Sequence, residues 1–246
     1  MKKSNFAIAD GITAFSTLRD SANYNGNYNG FNTCGYVNDD PGHVESCRKE
    51  LALELGVDEK ELIIPHQTHS ANVEIVDSLF DTDSPELDNL DALVTDLPGK
   101  PLIIHTADCV PLFLVDPVIP VVAIVHGGWK GLVNGIVENT IANMINLGAK
   151  PARILAQLGP HISARNYEVG EEMKSVLSPD ELIAENGKYY ADLNRLTVNR
   201  LMKVGVRPEN IKESGQCTFA DEENLYSARR DGIDTGRIAS VIMINP

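Results

Sequence analysis

Residues 103–130 read IIHTADCVPLFLVDPVIPVVAIVHGGWK. The parsing of this stretch decides the fold. Its apolar middle, Val110 to His126, is interrupted by Pro111, Asp116, Pro117 and Pro120, so it falls short of the roughly 18 apolar residues a membrane-spanning helix needs. Two short, nearly continuous apolar runs joined by a Pro-containing turn predict two buried strands, Leu112–Val115 and Val121–His126. A third predicted strand, Leu102–His105, precedes them. Where these strands end, polar and chemically competent residues appear: Asp108 and Cys109 on one side, His126 on the other.

Working outward, short apolar runs cut by Pro, Gly or Asp predict further strands at Glu61–Ile64, Asn72–Val76, Ala92–Thr95, Ile154–Leu158 and Ile211–Glu213. Arg237–Ile244 is apolar enough to be a central strand. A helix is expected from Pro41, capped by Asp39 or Asp40. Val44, Cys47, Leu51 and Leu55 lie on its inner face and Gly56 stops it. Two more helices are expected, over Leu132–Leu147 and from Asp192 to Gly205. The first forty residues read as irregular, with Asn-Gly turns stacked in a surface loop over Asn23–Asn32. The acidic stretch Asp77–Asp91 lacks an EF-hand ligand pattern and reads as a solvated loop. Strands and helices mix without strict alternation and no internal repeat is visible. The expected architecture is α+β, a single domain over residues 1–246 with mixed sheets flanked by helices.

The 246 residues are 43% hydrophobic and 23% charged, enough apolar material for a core. Twenty-one basic against 35 acidic side chains give a net charge of −14, which disfavours nucleic acid and anionic membrane surfaces as partners. The start, MKKSNFAIADGITAF, has Asp10 and Gly11 where a secretory signal needs an apolar segment. Cys34, Cys47, Cys109 and Cys217 form no CxxC pair, which predicts reduced thiols in a cytoplasmic protein. The oligomeric state is not legible.

Three segments bring chemistry to strand ends: IIPHQTHSANV, IIHTADCVPLFLVD and VVAIVHGGWKGLVNG. His66, His69, His126 and Cys109 are borderline and soft donors suited to zinc or copper. Two His and one Cys would satisfy a catalytic zinc and leave its fourth position open. The same residues suit a Cys–His hydrolase, with Cys109 as thiolate nucleophile and a histidine as its base. Asp108, polar within an apolar stretch, argues for an open pocket, and it or a nearby histidine is a candidate proton shuttle. Gly127-Gly128 before a helix suggests close backbone approach to a ligand, with Lys130 beside it. Arg229, followed by Arg230, is a candidate clamp for phosphate or carboxylate. Cys34, Cys47, Cys217 and His43 read as bystanders.

In order along the chain stand HQTHSANV, TADCVPLFLVD, VHGGWKGLVNGIVENTI, LGPHISARNYEVG, CTFADEENLYSARRDG and TGRIASVIMI. Together they resemble the laccase-domain (YfiH-type) family, formerly described as polyphenol oxidases and now as purine nucleoside phosphorylases. The resemblance runs from about Ile12 to Ile244. It implies a zinc held by His69, Cys109 and His126, with copper as a possible substitute and His66 facing substrate. It implies phosphorolysis of adenosine, inosine or methylthioadenosine, with adenosine deamination at the same centre, so that the partners are a nucleoside and phosphate. It also implies an α+β fold similar to that of cytotoxic necrotizing factor toxins. A copper-dependent polyphenol oxidase and a Cys–His hydrolase editing a cell-wall precursor are the alternatives. Two positions depart from the family pattern: Lys130 stands where Arg usually follows Gly-Trp, and Arg19 is displaced by one residue in Phe15-Ser-Thr-Leu-Arg19.

Overall fold

A computed structural model describes residues 1–20, 26–80 and 87–246. Strands β1 (Lys3–Asn5) and β2 (Ile12–Thr17) form an antiparallel pair, and helix α1 (Pro41–Leu55) follows. Next come β3 (Val73–Ile75), β4 (Ala92–Thr95), β5 (Leu102–Thr106), β6 (Val110–Asp116) and β7 (Val121–Gly127). Helices α2 (Trp129–Val133) and α3 (Ile136–Asn146) lead to β8 (Leu155–Leu158), β9 (Glu168–Val169), β10 (Leu182–Glu185) and β11 (Lys188–Ala191). The chain continues through α4 (Leu193–Lys203), β12 (Ile211–Glu213), the short α5 (Ala228–Asp231) and β13 (Ile238–Ile244).

The predicted β6–β7 pair is the centre of a six-stranded mixed sheet with the order β12-β8-β6-β7-β4-β3. A four-stranded antiparallel sheet has the order β1-β2-β13-β5, which makes β13 an interior strand as expected. The two sheets face each other. Leu93, Phe113, Val115, Val122 and Ile124 of the larger sheet pack with Ala14, Leu102, Ile104 and Ile242 of the smaller. The alternate residues Val94, Leu112, Leu114, Ala123 and Val125 turn the other way, onto α2, α3 and α4. On the far side of the smaller sheet, Phe15, Ile103 and Val241 pack against Cys47 and Leu51 of α1. Both faces of each sheet are therefore covered, which is why its central strands read as apolar runs rather than as alternation. The mixed α+β architecture with helices on the outside matches the expectation.

Several local expectations are corrected. Helix Leu132–Leu147 is two helices, because Gly135 adopts φ +94° and breaks the path between α2 and α3. Glu61–Ile64 is not a strand. Asp58 and Glu61 cap one another in a 3-10 turn over Glu59–Glu61, and Ile63 makes an isolated bridge to Leu102. The start of the chain is not irregular, since β2 pairs along β13. Of the Asn23–Asn32 loop, residues 23–25 lie outside the described residues, and its end is no surface loop, because Asn32 is wholly buried. Of the acidic stretch, residues 81–86 lie outside the described residues, and Asp91 is wholly buried rather than solvated. A small antiparallel sheet, β10-β11-β9, was not anticipated. Helix α1 follows expectation: Asp40 caps it by accepting from His43 N at 2.9 Å, and Gly56 closes it at φ +70°. Among the described residues, no helix is long and apolar enough to cross a membrane.

Asp116, at 0% exposure, secures the turn of the central pair. Its Oδ1 accepts from Val118 N at 3.0 Å, while Oδ2 accepts from Lys150 N at 2.9 Å and from Arg153 Nη2 at 2.6 Å. Burial pushes this carboxyl up, but the Arg153 and backbone donors outweigh it and hold its pKa below the usual value. A depressed pKa stabilises the fold above the unfolded carboxyl's titration, about pH 4, and that stabilisation is lost as pH falls. Asp116→Asn is expected to cost about 1–3 kcal/mol at neutral pH. In thermal unfolding measured between pH 7 and pH 3, the gap between variant and parent should narrow toward acid. A gap that widened toward acid would contradict this assignment.

Candidate metal centre

The register of β6 on β7 sets Val110 opposite Gly127 and Pro111 opposite His126. Cys109, one residue ahead of β6, is thereby brought beside the end of β7, where His126 projects. His69 arrives from the segment after Pro65 and adopts φ +62°, unusual for a residue with a side chain. One ligand atom from each of His69, Cys109 and His126 lies within 4.8 Å of the others. The two imidazole centroids are 4.6 Å apart. Among the described residues this is the one group of three or more His, Cys, Asp or Glu donors close enough to hold a metal ion.

Asp91, immediately before β4, organises these donors. Its Oδ1 accepts from His126 Nδ1 at 2.6 Å and from the backbone N–H of His69 at 3.1 Å. Its Oδ2 accepts from the N–H groups of Thr68 and Ser70 and from Ser70 Oγ, the last at 2.7 Å. One buried carboxylate thus shapes the loop that carries His69 and engages Nδ1 of His126, which leaves Nε2 as the nitrogen able to ligate once a metal displaces its proton. Gln67 ties the same loop to β5: its Oε1 accepts from His105 N at 2.7 Å and its Nε2 donates to His105 O at 2.8 Å.

The glycine turn has a steric reason. A Cβ on Gly128 would lie 2.4 Å from His69 Nδ1 and 3.3 Å from Cys109 Sγ. The close approach expected at Gly127-Gly128 is therefore to the donors themselves.

Electrostatics divide the two histidines. Burial pushes the His126 pKa down, but Cys109 and Asp91 outweigh it and raise it to about 9. Partial burial and the neighbouring His126 hold His69 down at about 4, so its ring is neutral although its edge reaches solvent. Burial opposes ionisation of Asp91, yet His126 and Ser70 bring its pKa down to about 2.

His69, Cys109 and His126 open onto a cavity of about 570 Å³ that Asp108, Tyr167 and Arg229 also line. Asp108 sits at φ +96° with both carboxylate oxygens engaged. Oδ1 accepts from Thr218 Oγ1 at 2.6 Å and Oδ2 from Arg229 N at 2.7 Å. The Arg229 guanidinium lies over the Tyr167 ring at 4.8 Å and donates through Nη1 to Glu168 O.

The remaining sequence candidates do not line this cavity. His66 turns to Asp88, 2.6 Å away, and stacks near Tyr36. Lys130 is exposed, 5.7 Å from the Trp129 ring centroid. Arg19 donates to Asn29 O and lies over Tyr226, where it ties loops together. His43 and Cys47 form a buried line with Asp39, consistent with their reading as bystanders. Asp91, Gln67 and Tyr167 were missed. Asp91 stands directly against the apolar run of β4, but the acidic stretch it closes masked that signal. Gln67 and Tyr167 had none beyond their neighbourhood.

A family model described as multi-copper polyphenol oxidoreductase laccase matches residues 13–245. Adenosine deaminase RL5, from an unknown prokaryotic organism, is 39% identical over 96% of both chains. A purine nucleoside phosphorylase of Bacteroides thetaiotaomicron is 33% identical over 95% of this chain and 92% of its own. The crystal structure of the Bacillus licheniformis hypothetical protein YfiH superposes with a TM-score of 0.89 at 27% identity, covering 98% of each chain. Matched in both sequence and fold over nearly its whole length, this chain belongs to the multi-copper polyphenol oxidoreductase laccase family, the YfiH-like family its motifs resemble.

Proposed function

We propose that this chain is a metal-dependent enzyme of purine nucleosides. Its reaction is phosphorolysis of adenosine, inosine or methylthioadenosine to the free base and the corresponding ribose 1-phosphate, with adenosine deamination at the same centre. Relatives named for these activities, at 33% and 39% identity, support an enzyme acting on purine nucleosides. The observation that carries the reading is one three-donor group opening onto a nucleoside-sized cavity with an arginine at its wall.

The donors fit zinc, and copper as a substitute. Two imidazoles and a cysteine sulfur lie close together, His69 is neutral, and Asp91, by engaging Nδ1, leaves Nε2 of His126 to the centre. His69, Cys109 and His126 would hold the zinc, which would supply Lewis acidity to the reaction. The chain's own residues do the rest. Beyond its bond to Glu168 O, the Arg229 guanidinium has N–H groups without a partner among the described residues, available to phosphate. Asp108 fixes Arg229 through its backbone, and its two bonds assign it to positioning; a proton shuttle there requires one of them to open. With a net charge of −14, phosphate needs this local cation, and Lys130 and His66 stand outside the cavity.

The copper-oxidase reading fails on donors. A multicopper oxidase needs a mononuclear site and a separate trinuclear cluster. Of six histidines, His43 bonds Asp39, His66 bonds Asp88, His105 bonds Thr33 and His161 bonds Gly159. Among the described residues only His69 and His126 of these six join a group of three or more close donors, which is one site and not two. The closeness of Cys109 to His126 favours one second reading, a Cys–His hydrolase.

The deciding assay compares the purified protein with Cys109→Ala on adenosine and inosine, with and without phosphate, alongside metal analysis. The expected result is phosphate-dependent release of base, with metal and activity both lost in the variant. Activity that survives metal removal but not thiol alkylation supports the hydrolase; no base released under any metal loading rejects phosphorolysis. Gly128→Ala, with an ordinary φ of −73°, should leave folding intact by circular dichroism while lowering metal affinity at least about tenfold. Asp91→Asn should weaken metal binding by about 10–100-fold, read by competition with a chromogenic chelator. Unchanged affinity in either variant would show that the centre does not depend on that contact.

A further inference from the structure

Cys217, a bystander by sequence, lines a second cavity of about 440 Å³ with His161 and Ser163, and none of its lining residues borders the metal pocket. The half-buried sulfur accepts from the backbone N–H of Ser163 and from Asn166 Nδ2, each at 3.3 Å. Its own proton points at Ser163 Oγ, 3.3 Å away. Two N–H donors aimed at one sulfur favour its thiolate. Burial pushes the Cys217 thiol up, but the Ser163 and Asn166 bonds outweigh it and lower its pKa. Cys34 and Cys47 are buried and pushed up instead.

A separate observation shows where a ligand would bind. His161 is 6% exposed, and its Nδ1 donates to Gly159 O at 2.8 Å. That bond leaves Nε2 with a bare lone pair that has no partner among the described residues, on a ring lining the cavity. Burial keeps the ring neutral. An acceptor at the cavity edge of an otherwise buried ring is a seat for the O–H of a small molecule.

We propose that Cys217 is a second reactive thiol, at which a small hydroperoxide hydrogen-bonds to His161 Nε2 and oxidises the sulfur to a sulfenic acid. The sulfur attacks one peroxide oxygen, an S–O bond forms and the O–O bond breaks. The departing alkoxide or hydroxide takes up the thiol proton and leaves as alcohol or water. Sulfur loses two electrons and the peroxide gains them.

The test exposes the metal-loaded protein briefly to stoichiometric hydrogen peroxide in the presence of dimedone, which traps sulfenic acids. Mass spectrometry then quantifies the adduct on each cysteine peptide. Adduct on Cys217 should accumulate at least about tenfold faster than on Cys34 or Cys47. Asn166→Ala, which removes one donor, and His161→Phe, which removes the acceptor, should each slow it severalfold. If His161→Phe does not fold, Asn166→Ala alone decides. Adduct confined to Cys109, a Cys217 rate no faster than that of Cys34, or parental rates in the folded variants would overturn the proposal.

Discussion

The Asp91 carboxylate is the contact on which the metal centre depends. It is wholly buried, and a buried charge is tolerated only when its neighbours satisfy it. Here five hydrogen bonds do so, from His126, Ser70 Oγ and the backbone N–H groups of Thr68, His69 and Ser70. The dependence runs both ways. The acid needs the loop to remain ionised, and the loop needs the acid to hold the turn in which His69 takes φ +62°. Cys109 is placed from the other side by the β6–β7 register. Two independent constraints therefore converge on one point.

The scaffold around that point is stiff. Two sheets pack face to face with helices on both outer surfaces, so β6 and β7 cannot slip by one residue without exchanging two apolar faces. The cost is concentrated at the strand ends. His69 and Asp108 both carry side chains at positive φ, each worth about 1–3 kcal/mol of backbone strain. Asp108 is compensated by its bonds to Thr218 and Arg229. Those bonds also join the end of β5 to a segment more than a hundred residues later, giving the pocket a wall that the central sheet does not supply.

How much was legible follows from what kind of information each feature needs. Ala92–Thr95 and Ile211–Glu213 were read at their observed bounds because buried apolar runs between breakers leave little choice. Helix α1 was read from its cap to Gly56 because its start and stop signals are local. Gly135 breaks a helix whose apolar spacing continues straight across it, so periodicity concealed the break. The β10–β11 hairpin turns at Asn186-Gly187, both at positive φ, a local signal that was present and passed over. At the site, donor chemistry suggested His69, Cys109 and His126 among other candidates, and the family resemblance narrowed them to these three. Asp91 was hidden because it closes an acidic stretch, where composition argues for solvent. Its burial is a tertiary fact, set by the histidine across the sheet.

The position of β13 has a consequence for how the chain is made. It is the last element in sequence, yet it lies between β2 and β5, pairing with both. All three metal donors and Asp91 lie within residues 69–126 and emerge from the ribosome long before it. Until residues 238–244 follow, β2 and β5 each present an unpaired edge, and the smaller sheet is divided. Vectorial synthesis thus leaves an intermediate whose open edges invite association with other chains. The strand that closes the sheet is also the one that ends this exposure.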